Sequence, residues 1–343
     1  MMYTEQAHPD APDMVALVVT GPREHALRRV PRPEPVGDQA LVDVSHVALC
    51  GTDLRLLRGT LHDADYPTVP GHEWAGVVRA APTRPELVGR AVVGHNFLPC
   101  GSCAWCARGA ENLCESLDEI GFSLPGAFAE ALCVPAENLR LLPDGVSGAE
   151  GCLVEPLCVA VHAVDRAGEV TGRSVGVIGA GAVGLLVAQV ARGSGAKSVT
   201  VVDPVASRRA VAAELGLGAE ADLSRFEADP PEVVFDATGV AALFPRALTA
   251  TRQGGTCVLV GYSGSEATPF EPSVVMLREL TVVGSLSGVG MIDRAVELVA
   301  NGVVRLSPLV SPALPLAHYR SVVDTPATEA PLRAFFAVDE ETR

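Results

Sequence analysis

Four cysteines crowd into fifteen residues as Cys100-x2-Cys103-x2-Cys106-x7-Cys114. Four thiolates complete the tetrahedral shell of a zinc ion and leave no position open, so this pattern reads as a structural metal site. The stretch around it, NFLPCGSCAWCARGAENLCE, has few large apolar side chains. A metal would supply the order that a core cannot. The spacing partly matches ferredoxin-type iron–sulfur runs, but those continue with a short gap and a proline, absent after Cys106. The chain holds nine cysteines, an odd number. MMYTEQAHPDAPD has no basic or apolar leader region, so a cytoplasmic location is expected, and metal binding ahead of disulfides.

A second constellation is scattered: Cys50-Gly51-Thr52-Asp53, Gly71-His72-Glu73 and Glu155-Pro156. A catalytic zinc needs three protein ligands and an open position, and one thiolate, one imidazole and one carboxylate would make such a set. Spacing alone does not assemble it. A lone cysteine is most often a small core residue and a lone histidine a satisfied polar one.

The third motif is Gly179-Ala180-Gly181-Ala182-Val183-Gly184, a GxGxxG. Chance matches occur in a chain with 34 glycines, but this one follows an apolar strand and opens a helix. Asp203 closes the next strand, 19 residues after Gly184. Together these make the dinucleotide fingerprint. Gly179 permits the turn, Gly181 lets the backbone approach a pyrophosphate, and Gly184 allows close helix–sheet packing. The diphosphate would then rest on the unpaired N–H groups of the helix end. A carboxylate at Asp203 suits the ribose hydroxyls and repels a 2′-phosphate, favouring NAD over NADP; Arg208 and Arg209 temper that preference.

These motifs need two kinds of scaffold. From Val15 to about Glu155, short β-like runs (VALVVT, ALVDVSHVAL, AVVGHN, ALCVP) are broken by Gly and Pro, which predicts a compact β-rich domain. From about Thr171, strands at 174–179, 198–203, from 233 and at 256–260 alternate with helices at 183–193 and 207–215. That predicts a parallel sheet covered on both faces. Ile292–Ala300 reads as a further helix, and the Pro-rich remainder as a return to the first domain. The expected division is a loose tail over 1–13, a catalytic domain over 14–158 with a metal lobe at 95–116, a nucleotide domain over 159–290, and the return over 291–343.

The length, 343 residues, suits about two domains. With 48% hydrophobic and 20% charged residues the profile is globular. The net charge of −15, from 26 Lys and Arg against 41 Asp and Glu, argues against a nucleic-acid surface. The uncharged run 174–191 approaches the length of a membrane span, but its four glycines fit a strand–turn–helix better, so no membrane partner is expected.

The three motifs, in this order, resemble the zinc-dependent medium-chain dehydrogenase/reductase family over nearly the whole chain. The resemblance implies an α/β protein: a GroES-like β-rich catalytic domain plus a doubly wound Rossmann domain. It implies two Zn2+ per chain with NAD, or NADP, as hydride acceptor. Cys50, His72 and Glu155 would hold the catalytic zinc, Glu73 would lie close enough to exchange with its water, and Thr52 would take the substrate's proton. Many relatives carry His where this chain has Arg55, which cannot act as a base at neutral pH. The relay from Thr52 must therefore end elsewhere.

VEPLCVAVHAV is similar to the polyol dehydrogenase branch. CGTDLRLLRGTLHDADYPTVPGHEWAG, CARGAENLCESLDEIGF, VPAENLRLLPD and the late LRAFF resemble the 2-deoxy-scyllo-inosamine dehydrogenases of aminoglycoside biosynthesis. That resemblance implies oxidation of an aminocyclitol ring hydroxyl to a ketone, which a partner enzyme transaminates. Asp53, Asp63, Asp65 and Glu119 are acidic candidates for the substrate's ammonium. The alternatives are a sorbitol- or threonine-type dehydrogenase, a zinc-free quinone or enoyl reductase, and a zinc-binding regulator. A homodimer or homotetramer is expected, with 281–285 (TVVGS) as a candidate edge strand.

Overall fold

The first apolar run of the chain lies within β1 (Asp13–Gly21), which pairs antiparallel with β2 (Glu24–Pro31). The structure, a computed structural model, describes residues 13–61, 64–264, 266–325 and 331–338. The expected tail falls outside the described residues except for Asp13, which opens β1. Asp63 falls outside them as well.

The chain divides into two units, Met1–Glu155 with Val310–Arg343, and Pro156–Leu309. The return to the first unit begins at 310 rather than 291. Physical ties hold 291–309 to the second unit: Arg294 pairs with Asp165, and Gln189 exchanges hydrogen bonds with the backbone of Arg305 in both directions. The other division falls at 155/156, inside a helix, rather than at 158/159.

In the first unit β3 (Gln39–Leu49), β4 (Glu73–Ala80) and β5 (Ala91–Gly94) are followed by the short pair β6 (Phe97–Leu98) and β7 (Asp118–Glu119). Strands β8 (Ala131–Pro135) and β9 (Leu139–Leu141) come after. The main sheet runs Leu314–Pro315, Ala334–Ala337, β3, β4, β5, β9, with β8 also paired to β3. Along β3, Ala40, Val42 and Val44 enter one core with Trp74, Phe128 and Phe336, while Leu41 enters another with Met14 and Val18. Period-two alternation explains that split. A register irregularity against β4 between Val44 and His46 then shifts the parity, and Val47 and Leu49 rejoin the first core. One extra residue in a strand re-aims every side chain after it, including those at the strand's end. Trp74 fills the space over Gly94, where an added Cβ would meet its ring at 2.3 Å, and its indole N–H donates to Asn96 Oδ1.

Helices α1 (Gly51–Leu57), α2 (Gly148–Gly151) and α3 (Val154–Arg166) complete the N-terminal stretch. The second unit follows with β10 (Ser174–Ile178), α4 (Ala182–Gly193), β11 (Ser198–Val202), α5 (Ala206–Glu214) and β12 (Gly218–Glu220). Then come β13 (Val233–Asp236), β14 (Thr256–Leu259) and β15 (Thr281–Gly284). All pairs are parallel, in the order β12-β11-β10-β13-β14-β15. This is a doubly wound sheet whose order reverses between β10 and β13. The 174–191 run is β10, a glycine turn and the start of α4; no helix among the described residues is long and apolar enough to cross a membrane. TVVGS lies at the sheet edge, as β15.

The glycine turn is fixed by sterics. Gly179 has φ +99, and a Cβ on Gly184 would lie 1.9 Å from the Gly179 carbonyl oxygen. At Gly181, the N-cap of α4, an added Cβ meets nothing within 4 Å. Gly184→Ala is therefore expected to cost about 1–3 kcal/mol in urea unfolding, as overpacking does. Gly181→Ala should stay within about 0.5 kcal/mol of the parent. Equal unfolding midpoints for the two variants would contradict this packing.

Candidate active site

The end of β3 and the start of β4 meet at a cluster of ionisable side chains. Ala48 of β3 faces Glu73, the first residue of β4, across the antiparallel pair. Cys50 therefore leaves β3 beside the entry of His72 and Glu73 into β4. Gly71, just upstream, has φ +104, and a Cβ there would strike Phe128 at 2.7 Å. Ligand atoms of Cys50, His72 and Glu73 all lie within 4.8 Å of one another. Cys50 is the N-cap of α1: its N–H donates to Asp53 Oδ2 at 2.9 Å, and its Sγ lies 3.8 Å from Thr52 Oγ1. The ring of Phe122 packs on His72 at 5.2 Å between centroids.

The charges there are poorly compensated. Asp53 is fully buried, with Oδ1 3.4 Å from His72 Nδ1. Burial alone would lower the His72 pKa; the Asp53 carboxylate outweighs it and holds the ring well above its ordinary value. Glu73 Oε1 pairs with Arg333 Nη2 at 3.2 Å, while Glu73 Oε2 is buried with no hydrogen-bond partner among the described residues. Burial pushes the Glu73 carboxyl upward against the pull of Arg333 and His72. Glu155, at the start of α3, is raised by burial too, and it interacts electrostatically with His72, Cys50, Glu119 and Arg333. Glu119, on β7, is pushed up to about 7 by burial.

The structure brings Cys50, His72 and Glu73 together and leaves Glu155 outside that compact trio. Of the expected set of Cys50, His72 and Glu155 with Glu73 beside it, the closest grouping is Cys50, His72 and Glu73, while Glu155 stays within electrostatic reach of His72 and Cys50. Glu73 is held by β4 and by Arg333. Both sets share Cys50 and His72. A thiolate, an imidazole and a carboxylate suit zinc, and the orphaned Glu73 oxygen is a buried acceptor that a cation would satisfy.

The four cysteines of the lobe also converge, with all Sγ atoms within 4.8 Å. Cys100 and Cys106 Sγ are 4.0 Å apart, and Cys103 and Cys106 Sγ 3.5 Å. A tetrahedron with metal–sulfur bonds of about 2.3 Å has edges of about 3.8 Å, so the cradle matches zinc. These thiols form no disulfides. Backbone N–H groups of Ser102 and Cys103 hold the Cys100 thiol below its usual pKa, favouring the ligating thiolate.

In the second unit α4 has no side-chain cap and no acidic residue in its first turn, which leaves its terminal N–H groups for an anion. The open space at Gly181 fits the close approach of a pyrophosphate. Asp203 is buried; its Oδ2 accepts from Ala180 N–H at 2.9 Å and its Oδ1 from Val205 N–H at 2.8 Å. Arg208 Nη1 stands 3.8 Å from Oδ2, and Arg209 donates to the Asp203 carbonyl. Asp203 thus fastens the glycine turn to the end of β11. Val183, inside the motif, lies in the first turn of α4.

Fold and sites together define a zinc-binding, nucleotide-dependent dehydrogenase. Residues 37–144 match the alcohol dehydrogenase GroES-like domain and residues 182–301 the zinc-binding dehydrogenase family. The chain is 34% identical over 300 residues to a 2-dehydro-3-deoxy-L-galactonate 5-dehydrogenase from Pseudoalteromonas atlantica, covering 84% of this chain and 87% of that protein. It is 34% identical over 328 residues to a D-altritol 5-dehydrogenase from Agrobacterium fabrum, covering 89% and 95%. A crystal structure of a zinc-binding dehydrogenase from Sinorhizobium meliloti bound to NADP superposes with a TM-score of 0.89 at 31% identity, covering 95% and 99%. The chain belongs to the zinc-dependent medium-chain alcohol/polyol dehydrogenase family and is an NAD(P)-linked oxidoreductase acting on CH–OH.

Two features of the site escape sequence reasoning. Arg333 is invisible because its partner Glu73 lies far away in the chain; the only signal was its place in LRAFF. Asp53, expected as a contact for a substrate ammonium, is instead fully buried between the Cys50 amide and His72. A helix N-terminal carboxylate reads the same in sequence whether it faces inward or outward. Asp65 is exposed.

Arg333→Met removes the one guanidinium paired with buried Glu73. It is expected to cost about 3–5 kcal/mol in thermal or urea unfolding, with much of the loss recovered by adding Glu73→Gln. An unchanged midpoint in the single variant would contradict the pairing.

Proposed function

We propose that this chain oxidises a ring hydroxyl of a cyclitol to the ketone, and that its substrate is an aminocyclitol of the 2-deoxy-scyllo-inosamine type. The observation that carries the chemistry is the Cys50–His72–Glu73 trio, with a buried carboxylate oxygen that has no hydrogen-bond partner among the described residues. The aminocyclitol reading rests on the segments around Cys50, His72 and Glu119 that resemble such enzymes, and it matches the acidic surroundings of the trio.

Cys50 and His72, with Glu155 or Glu73 as the carboxylate, would hold the catalytic zinc; Cys100, Cys103, Cys106 and Cys114 would hold the structural one. Bound there, zinc supplies Lewis acidity that lowers the pKa of a substrate hydroxyl, and NAD(P)+ accepts the hydride. Thr52, beside the Cys50 sulfur, takes the hydroxyl proton and passes it outward. Asp53 orients His72 through Nδ1, which fixes the ring nitrogen left for ligation. Arg333 holds Glu73 in place. The balance is one hydride to the nicotinamide and one proton to solvent for each carbonyl formed. Gly179, Gly181, Val183 and Gly184 shape the pyrophosphate turn, and Asp203 with Arg208 sets the ribose end, favouring NAD.

An open-chain polyol is the second reading, favoured by relatives named for altritol and sorbitol. A panel of 2-deoxy-scyllo-inosamine, myo-inositol, sorbitol and threonine, each with NAD and with NADP and scored by reduced-cofactor absorbance, separates the two. The aminocyclitol with NAD is expected to give the highest kcat/KM. Turnover of sorbitol without the aminocyclitol would overturn the narrower reading.

A further inference from the structure

Among the described acidic residues near the trio, Glu119 combines proximity with a carboxylate that no hydrogen bond or ion pair engages. Asp53 is engaged by the Cys50 amide and by His72. Glu73 is paired with Arg333, and Glu155 stands as a candidate ligand. Glu119 sits on β7, and its main chain is tied down. Its N–H donates to Ser123 Oγ at 2.8 Å, and its carbonyl accepts from Phe122 and Leu124 N–H at 3.1 and 3.0 Å. Across the β6–β7 pair it faces Phe97. The same turn carries Phe122 onto the His72 ring.

The Glu119 carboxylate is half-buried and lies within electrostatic reach of His72, Asp53, Cys50 and Glu155. Among the described residues no hydrogen bond or ion pair engages it. The backbone around it is hydrogen-bonded, the side chain is partly removed from water, and His72 is the cation that acts on it most strongly among the described residues. Arg333 and His72 are already matched by Glu73 and Asp53. Even with a divalent ion on the trio, the thiolate and carboxylates around it outnumber the positive charges. A desolvated carboxylate in that setting costs free energy until a cation arrives.

We propose that Glu119 is the specificity residue of this site, pairing with an ammonium group on the substrate and repelling substrates that carry a carboxylate or phosphate. The proposal deepens the aminocyclitol reading and rests on it for the substrate's identity. A charge-assisted hydrogen bond to the ammonium would be made on binding, while the same carboxylate would oppose the sugar acids for which some relatives are named. Discrimination by repulsion is as effective as discrimination by contact.

The test uses the zinc-loaded enzyme and the Glu119→Gln variant, which keeps shape and removes charge. The substrates are an aminocyclitol and the cyclitol with hydroxyl in place of its amine. The variant is expected to lower the ratio of kcat/KM for amine over hydroxyl about tenfold or more, chiefly through KM of the amine. Binding of both compounds to the NADH-loaded enzyme, read by nicotinamide fluorescence, should show the same change in ratio without needing turnover. A lowered amine-over-hydroxyl binding ratio in Glu119→Gln with no turnover of either compound would overturn the cyclitol reading and leave the role of Glu119 standing. An unchanged ratio in binding, or an equal loss for both compounds, would overturn the role of Glu119.

Discussion

The first unit concentrates like charge at the place where β3 ends and β4 begins. Cys50, Asp53 and Glu73 come together there, with Glu155 and Glu119 in electrostatic reach, against His72 and Arg333. Packed hydrophobic side chains such as Trp74, Phe128 and Phe336 form the core of the same unit, and Asp53, His72 and Glu73 are themselves buried. Burying that much negative charge is unfavourable unless positive charge enters. The pairings around the site answer this imbalance only in part. Arg333 neutralises half of Glu73, Asp53 props up a protonatable His72, and the remaining oxygen is left for a metal.

The second unit solves a different electrostatic problem. It offers positive potential from backbone alone: α4 begins without a side-chain cap, beside a turn where glycine is sterically required at Gly179 and Gly184 and leaves open space at Gly181. Asp203 is held by two backbone N–H groups at the end of β11, so the acidic residue of the fingerprint also anchors the turn that receives the phosphates. Asp203 therefore fastens the glycine turn to the end of β11.

The glycine-turn half of the second unit was legible nearly to the residue, because hydrophobic period and glycine punctuation are local signals, whereas the short elements at 218–220, 224–228, 244–250 and 273–277 were not read. The strands at 174–178 and 198–202 and the helix at 182–193 lie within a residue of expectation. The four-cysteine lobe was legible for the same reason: its ligands are neighbours in sequence and in space. The trio was not, since Cys50 and His72 converge only through strand pairing, and the family resemblance had to bring them together. The irregularity between Val44 and His46 that re-aims the end of β3 leaves no mark in composition. Glu155 illustrates the same limit: the resemblance names it as a ligand, and the structure places it within electrostatic reach of His72 and Cys50 but outside the compact trio.

Metal content tests the central claim most directly. Plasma mass spectrometry of purified, zinc-reconstituted protein should find about two zinc per chain. The double variant Cys50→Ala/His72→Ala should fall to about one, the ion that remains being held by the four cysteines. Two zinc retained in that variant would show that the charge imbalance at the β3–β4 junction is not what recruits the catalytic ion.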